Sequence, residues 1–295
     1  MKKLIRYLLW CTPLLLQSHD ANAWGLYTHV YFAQWLLWGV PLLDGELRRA
    51  VGRYPKLVMA GACLPDLALV GRAVGTRAFD RTHDWEDAAR MLRSAQNDAE
   101  RALVVGYYSH LFADVVAHHH FVPAHERLWV DWPMLAHTVS EWSMDAHLSE
   151  HLLATPGQLL RDGEQEIVAL VSRHFGLPHK QARTAVRVLA RADQGLRWCR
   201  LPHVLYRNVM RMDKRVVRRF NYFISETSIR FGELNRVLAG DSPILDANGG
   251  CAKMAQQRLA QFSDHQIKRG QPLPDDCFYV LPEGEFRIHS VRVAA

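Results

Sequence analysis

The chain has 295 residues, 49% of them hydrophobic, and a formal charge of +6. That length and apolar share support one large core or two closely packed halves, and exclude a string of independent domains.

Lys2, Lys3 and Arg6 precede an apolar run over 8–16, and Ala21-Asn22-Ala23 places small residues where a signal peptidase reads. The expected organisation is a signal peptide over 1–23, a metal-binding region over 24–160, and a helical remainder of the same domain over 161–295. Localisation should then be secreted or periplasmic. The apolar run contains Thr12 and Pro13 and is too short for a permanent span; an uncleaved anchor is the competing reading. Losing Lys2, Lys3, Arg6 and Asp20 lowers the formal charge from +6 to +4, so the mature chain is only moderately basic. Cys63, Cys199, Cys251 and Cys277 remain. Cys251 and Cys277 could pair in an oxidising compartment, and none is spaced for a thiolate zinc site.

Helical periodicity dominates, predicting an all-α multi-helix bundle with a buried multinuclear metal cluster. Amphipathic segments fall at 27–38, 47–60, 87–106, 101–118, 132–153, 164–175 and 180–196, with further ones at 205–222 and 229–239. Pro55 weakens the second, and Gly106 is a candidate kink in the overlapping third and fourth. The stretch 61–84 reads as a loop. A small terminal hairpin is expected from 278–281 and 286–293, flanking Pro282-Glu283-Gly284-Glu285.

Nine of the sixteen histidines lie between His83 and His151. His110, Asp114 and His118 recur every four residues and so share one helix face. Two imidazoles and a carboxylate buried in a stripe are costly unless metal or hydrogen bonds satisfy them. His137, Glu141 and Asp145 repeat the device, and facing helices with such stripes are how bundles build multinuclear sites. A single H-x-x-x-D match is more often a polar face or a hydrogen-bonded core histidine; two matches, each followed by another potential ligand, reverse that. The third ligand of the first stripe stays open on spacing. His118 fits the helical line, and His120 fits if the helix ends early near Pro123. His119 and His125 read as bystanders.

Five elements together resemble the zinc-dependent phospholipase C family. They are the mature start Trp24-Gly25-Leu26-Tyr27-Thr28-His29, then Gly61-Ala62-Cys63-Leu64-Pro65-Asp66, then Thr82-His83-Asp84-Trp85. Ser109-His110 through Asp114 to His120 follows, and His137 to Glu141 closes the series. The resemblance implies a metal set of Trp24, His29, Asp66, His83, His110, Asp114, His120, His137 and Glu141 holding two or three zinc ions. Trp24 would contribute the amine and carbonyl freed by signal cleavage. By the family pattern the ligand after Asp114 comes six residues on, at His120. Related fungal single-strand-specific zinc nucleases share most of this frame, but their last pair usually ends in aspartate, where this chain has Glu141.

The implied activity is zinc-dependent phosphodiester hydrolysis, phospholipase C-like, on phospholipid headgroups. Zinc accepts imidazole and carboxylate ligands and lowers the pKa of a bound water to about 7 in favourable cases. Asp66 is expected to combine ligand and general-base roles, Asp114 to bridge metals, and Glu141 to be needed for turnover. Asp145 is a candidate for orienting an imidazole. The rivals are a single-strand nuclease and a non-catalytic metal-binding protein. Glu141 and the lack of stacking aromatics beside a basic groove favour lipid over nucleic acid, while Trp85, Trp129, Trp132 and Trp142 keep the nuclease in play. Arg207, Arg211, Arg215 and Arg219, with Lys214 and Arg218, form a basic stripe if 205–222 is one helix. It suits anionic headgroups in a peripheral membrane contact, or a nucleic-acid backbone, with a solvated face as the plain reading. Spacing leaves oligomeric state undetermined.

Overall fold

The computed structural model describes residues 25–269 except 43, 130–132, 244, 249–256 and 258, together with 280 and 281. The expected signal peptide and Trp24 therefore lie outside the described residues. So do Cys251, Cys277, Trp132 and the 286–293 half of the expected hairpin.

The chain enters α1 (Leu26–Gly39) at Gly25, whose lack of a side chain leaves the first helical amides without a local cap. This helix carries His29 and buries Val30, Phe32, Ala33 and Leu36. The 47–60 pattern becomes two helices, α2 (Gly45–Arg53) and α3 (Pro55–Gly61). Proline has no amide hydrogen to donate, so Pro55 is tolerated only in the first turn of a new helix.

The 61–84 stretch is not an open loop. It runs through short helical turns at Pro65–Leu67, Ala68–Gly71, Arg72–Val74 and Ala78–Arg81. Pro65, Asp66 and Leu67 are buried, and buried backbone needs the local hydrogen bonds that such turns supply.

The overlapping 87–118 pattern breaks ahead of residue 98, giving α4 (Trp85–Arg93) and α5 (Asp98–Val116). Asn97 caps α5 by accepting the Glu100 amide at 3.0 Å, while Glu100 reaches back to the Gln96 amide at 2.7 Å. Gly106 serves packing at this point in the helix. A Cβ there would fall 1.8 Å from the Val58 carbonyl oxygen, and one on Gly61 would fall 2.0 Å from that of Leu103. These two glycines bring the backbones of α3 and α5 into contact. Asp66, just beyond α3, is thereby set beside the polar stripe of α5.

From Val116 the chain changes winding instead of ending. Ala117–Phe121 forms a π turn and leads directly into α6 (Val122–Leu128), with Pro123 in its first turn. The extra residue per turn rotates 118–120 off the α-helical line.

Next come α7 (Pro133–Leu148), α8 (Pro156–Asp162), α9 (Glu164–Phe175) and α10 (His179–Trp198). α5 is buried along nearly its whole length and is packed by α1, α2, α3, α4 and α9. α7 packs on α1, α6 and α11 (Leu201–Met212).

The expected 205–222 helix is interrupted between α11 and α12 (Val216–Arg230). Asp213 accepts the Arg215 amide at 3.0 Å and the Trp129 indole N–H at 3.2 Å, and pairs with Arg219. Arg219 is fully buried, so the four-arginine stripe does not form. The 229–239 pattern likewise divides, with a 3₁₀ turn at Phe231–Glu233 before α13 (Leu234–Leu238). In the tail, β2 (Val280–Leu281) pairs antiparallel with β1 (Ser242–Pro243), a long-range contact, while the other strand of the expected terminal hairpin lies outside the described residues. Cys63 and Cys199 are free thiols.

Candidate metal centre

Asp114 is the convergence point. α5 presents His110 one turn before it, α1 brings His29, and the residue after Thr82 is His83. His110 Nε2 lies 2.9 Å and His83 Nε2 3.3 Å from Asp114 Oδ2, and His29 Nε2 lies 3.2 Å from Oδ1. The His29 and His110 rings stack with centroids 3.5 Å apart. Ligand atoms of His29, Asp66 and His110 all fall within 4.8 Å of one another, as do those of His83, His110 and Asp114. The two triads share His110, and all five side chains are buried.

Backbone and hydroxyl oxygens fix which imidazole nitrogen faces inward. His110 Nδ1 donates to the Ala62 carbonyl at 2.8 Å, which leaves Nε2 as the bare lone pair directed at Asp114. The Thr82 hydroxyl donates to the Pro65 carbonyl at 2.6 Å, so its oxygen is left to accept from His83 Nδ1 at 3.3 Å. His83 Nε2 and His110 Nε2 are then two lone pairs only 3.2 Å apart. Facing lone pairs beside a carboxylate repel unless a proton or cation lies among them.

The electrostatics favour a cation. Burial and the neighbouring His29 lower the His110 pKa, disfavouring a charged ring. Burial works to raise the Asp114 pKa, yet the positive charge that His110 and His29 can carry outweighs it and holds the carboxyl well below the usual range. A divalent ion held by neutral imidazoles meets both demands. Both Asp114 oxygens are also buried without a hydrogen bond of proper geometry. Burial pushes Asp66 up to about 7, against the pull of His110 and His83.

The second stripe contributes a pair. His137 Nε2 sits 2.7 Å from Glu141 Oε1, which is buried and accepts no hydrogen bond of proper geometry. Burial pushes the Glu141 carboxyl up to about 7 even with His137 beside it. The His118 ring lies 6.3 Å from that of His137, its Nε2 is buried without a hydrogen-bond partner, and burial holds its pKa down to about 3. His120 is buried in the same π turn. A cavity of about 60 Å³ links the two groups, with Asp66, Glu141, Thr138, Trp142, Leu69 and Leu189 in its wall.

Asp145 does not take the expected role of orienting an imidazole. Its Oδ1 accepts the Thr28 amide at 2.9 Å and the Thr28 hydroxyl at 2.8 Å, while Oδ2 pairs with Arg197. It thus supplies, from α7, the cap that Gly25 cannot give α1, immediately beside His29. Neither this clamp nor the Ala62 and Thr82 oxygens could be picked out by spacing, because their partners are distant in sequence or are backbone atoms. His119 and His125 are bystanders to the cluster. His119 Nε2 is 3.1 Å from the Asp246 carbonyl, and His125 donates Nδ1–H to the Phe121 carbonyl at 2.7 Å.

Imidazole nitrogens and carboxylate oxygens with no thiolate make a donor set suited to zinc. Fold and site together define an all-helical protein with a buried histidine and carboxylate centre able to hold metal. The sequence profile of the zinc dependent phospholipase C family matches residues 28–188, more than half of the chain, and the chain belongs to that family. The family is zinc-dependent, and membership implies a phosphodiesterase-like hydrolase. No curated protein and no solved structure matches the chain significantly.

Proposed function

We propose that the protein is a zinc-dependent phosphodiester hydrolase of the phospholipase C type, cleaving phospholipid headgroups outside the cytoplasm after signal removal. The observation that carries this reading is the pair of buried triads sharing His110 within the family-matched region. His29, His83, His110 and Asp114 would hold metal, with Asp66 reaching the same group. His137 and Glu141, one π-turn histidine and the terminal amine and carbonyl of Trp24 would complete a set for two or three ions. When bound, zinc neutralises the non-bridging phosphate oxygens and activates the attacking water.

The chain's own groups do the rest. The Ala62 carbonyl and Thr82 hydroxyl hold His110 and His83 with Nε2 inward. Asp66, on the cavity wall, is placed to take the proton of the attacking water. Of the two candidate ligands among the three π-turn histidines, His118 is better placed for direct ligation than His120, because its ring approaches His137 and its Nε2 has no hydrogen-bond partner.

The test is elemental analysis of the secreted protein, followed by parallel assays on phosphatidylcholine, phosphatidylinositol and single-stranded DNA. Two or three zinc ions and release of a phosphorylated headgroup are expected. Less than one zinc per chain, or cleavage of DNA alone, overturns the reading.

A further inference from the structure

The strand of basic residues at 198–218 has a structural outcome that the catalytic reading leaves unused. Burying Arg219 removes one cation from the expected stripe but leaves Arg200, Arg207, Arg211, Lys214, Arg215 and Arg218 exposed. The only acidic residue in that span is Asp213, and it is turned to Arg219 and the Trp129 indole. Six exposed cations therefore stand without an acid of their own segment to neutralise them. α11 spaces its exposed side chains at His203, Val204, Arg207, Asn208, Arg211 and Met212, which is one helix face, while its buried Val209 lies off that face.

The same stretch, 198–218, also exposes apolar side chains where solvent alone would favour polar groups, Val204 and Met212 on the α11 face itself and Trp198 and Val217 in the segments that flank it. Seven large hydrophobic side chains stand exposed among the described residues, and four of them fall here. Trp198 is 64%, Val204 40%, Met212 87% and Val217 36% exposed. Exposed cations alone would describe a solvated surface or a nucleic-acid backbone site. Cations interleaved with exposed tryptophan, methionine and valine match a surface that inserts apolar tips among lipid chains while guanidinium groups meet phosphates. No single helix among the described residues is long and apolar enough to cross a bilayer, so the contact would be peripheral.

We infer that α11 and the flanking 198–200 and 212–218 segments form a docking surface for a membrane rich in anionic phospholipid. This goes beyond the hydrolase reading and does not need it, since docking is measured without turnover. α11 packs on α7, the helix of His137 and Glu141, so docking would also fix how that helix is presented to lipid.

The experiment is vesicle co-sedimentation of the metal-loaded secreted protein on ice. It compares phosphatidylcholine alone with phosphatidylcholine mixed with phosphatidylglycerol, and runs retention on single-stranded DNA in parallel. Stronger sedimentation with the anionic vesicles is expected, weakening as salt is added. The double variant Arg207→Glu with Arg211→Glu should lose at least on the order of tenfold in vesicle affinity. Met212→Ser should weaken vesicle binding severalfold and leave DNA retention unchanged, which a purely electrostatic site would not do. These substitutions lie on exposed positions, and thermal melting checks that each variant is folded. Equal sedimentation of wild type and the double variant would overturn the inference, as would DNA retention without vesicle binding. Vesicle docking by a protein that releases no phosphorylated headgroup in the parallel substrate assays would sink the proposed function and leave this surface standing.

Discussion

Asp145 and Thr28, 117 residues apart, are joined by two hydrogen bonds of 2.9 and 2.8 Å from the Thr28 amide and hydroxyl to one carboxylate oxygen. The contact ties the start of α1, and with it His29, to α7. Arg197 neutralises the other oxygen and lies 3.6 Å over the Tyr27 ring. Removing Asp145 would leave Arg197 with Asp193, 3.3 Å from its Nε, as the remaining counter-charge and Thr28 without its acceptor, so Asp145→Ala should cost about 1 to 3 kcal/mol in unfolding free energy. Asp145→Asn keeps an acceptor for Thr28 and should cost less. Denaturant titration of both variants checks the order; equal stability of Asp145→Ala and wild type would remove the clamp.

For the metal centre, His110→Ala and Asp114→Ala should each lose at least one zinc by elemental analysis, because His110 is shared by the two triads and Asp114 meets His29, His83 and His110. Glu141→Gln should fold and lose metal or turnover. Full activity at unchanged zinc content would make the His137 and Glu141 pair a polar helix face and nothing more.

The π turn makes His118 and His120 separable. His118→Ala is expected to lower zinc content or affinity more than His120→Ala, with the two compared by chelator competition at constant pH. A larger loss from His120→Ala would restore the six-residue spacing that the family resemblance implies.

Acid stability should depend on His125, which lies outside the cluster. Burial, then the charge of Arg219, lowers its pKa from 6.5 to about 3, with Asp213 and the Phe121 carbonyl pulling the other way. Because the folded pKa lies below the unfolded one, its contribution is fully present above pH 6.5 and declines as pH falls towards 3. The loss is on the order of 1 kcal/mol per pH unit within that window. His125→Gln should flatten the difference in melting temperature between pH 7 and pH 5 relative to wild type. An unchanged difference would show that the histidine is not protonated on unfolding.

Export and chemistry should be coupled through the peptide bond before Trp24. If that residue becomes the N-terminus, its amine, with a reference pKa of about 8, can release its proton to water and offer its lone pair to a divalent ion beside His29. Protein retaining Met before Trp24 should bind one zinc fewer, or bind it more weakly, and turn over poorly. Matching zinc content and activity in the two forms would refute the terminal ligand. Gly25 limits repair of such an extension, because a Cβ there would fall 2.3 Å from Asp145 Oδ2.

The all-helical class, the placement of His110 with Asp114 and of His137 with Glu141, and the family itself were legible in the sequence. Helical periodicity is local: residues four apart share a face whatever else the chain does, so ligand pairs on one helix are written directly in their spacing. The breaks at Pro55 and between α4 and α5 follow from equally local causes, a missing amide hydrogen and an asparagine cap. Other features depended on which helices meet. Gly106 looks like a kink until Val58 is seen against it, and Asp145 looks like a partner for an imidazole until Thr28 and Arg197 occupy it. Arg219 looks exposed by spacing until Asp213 ends the helix and draws it inward. His118 and His120 both lie in a π turn whose winding no four-residue count contains. Contacts of this kind depend on backbone approach and on competition for buried charge across more than a hundred residues, and packing decides them after the local pattern has been satisfied.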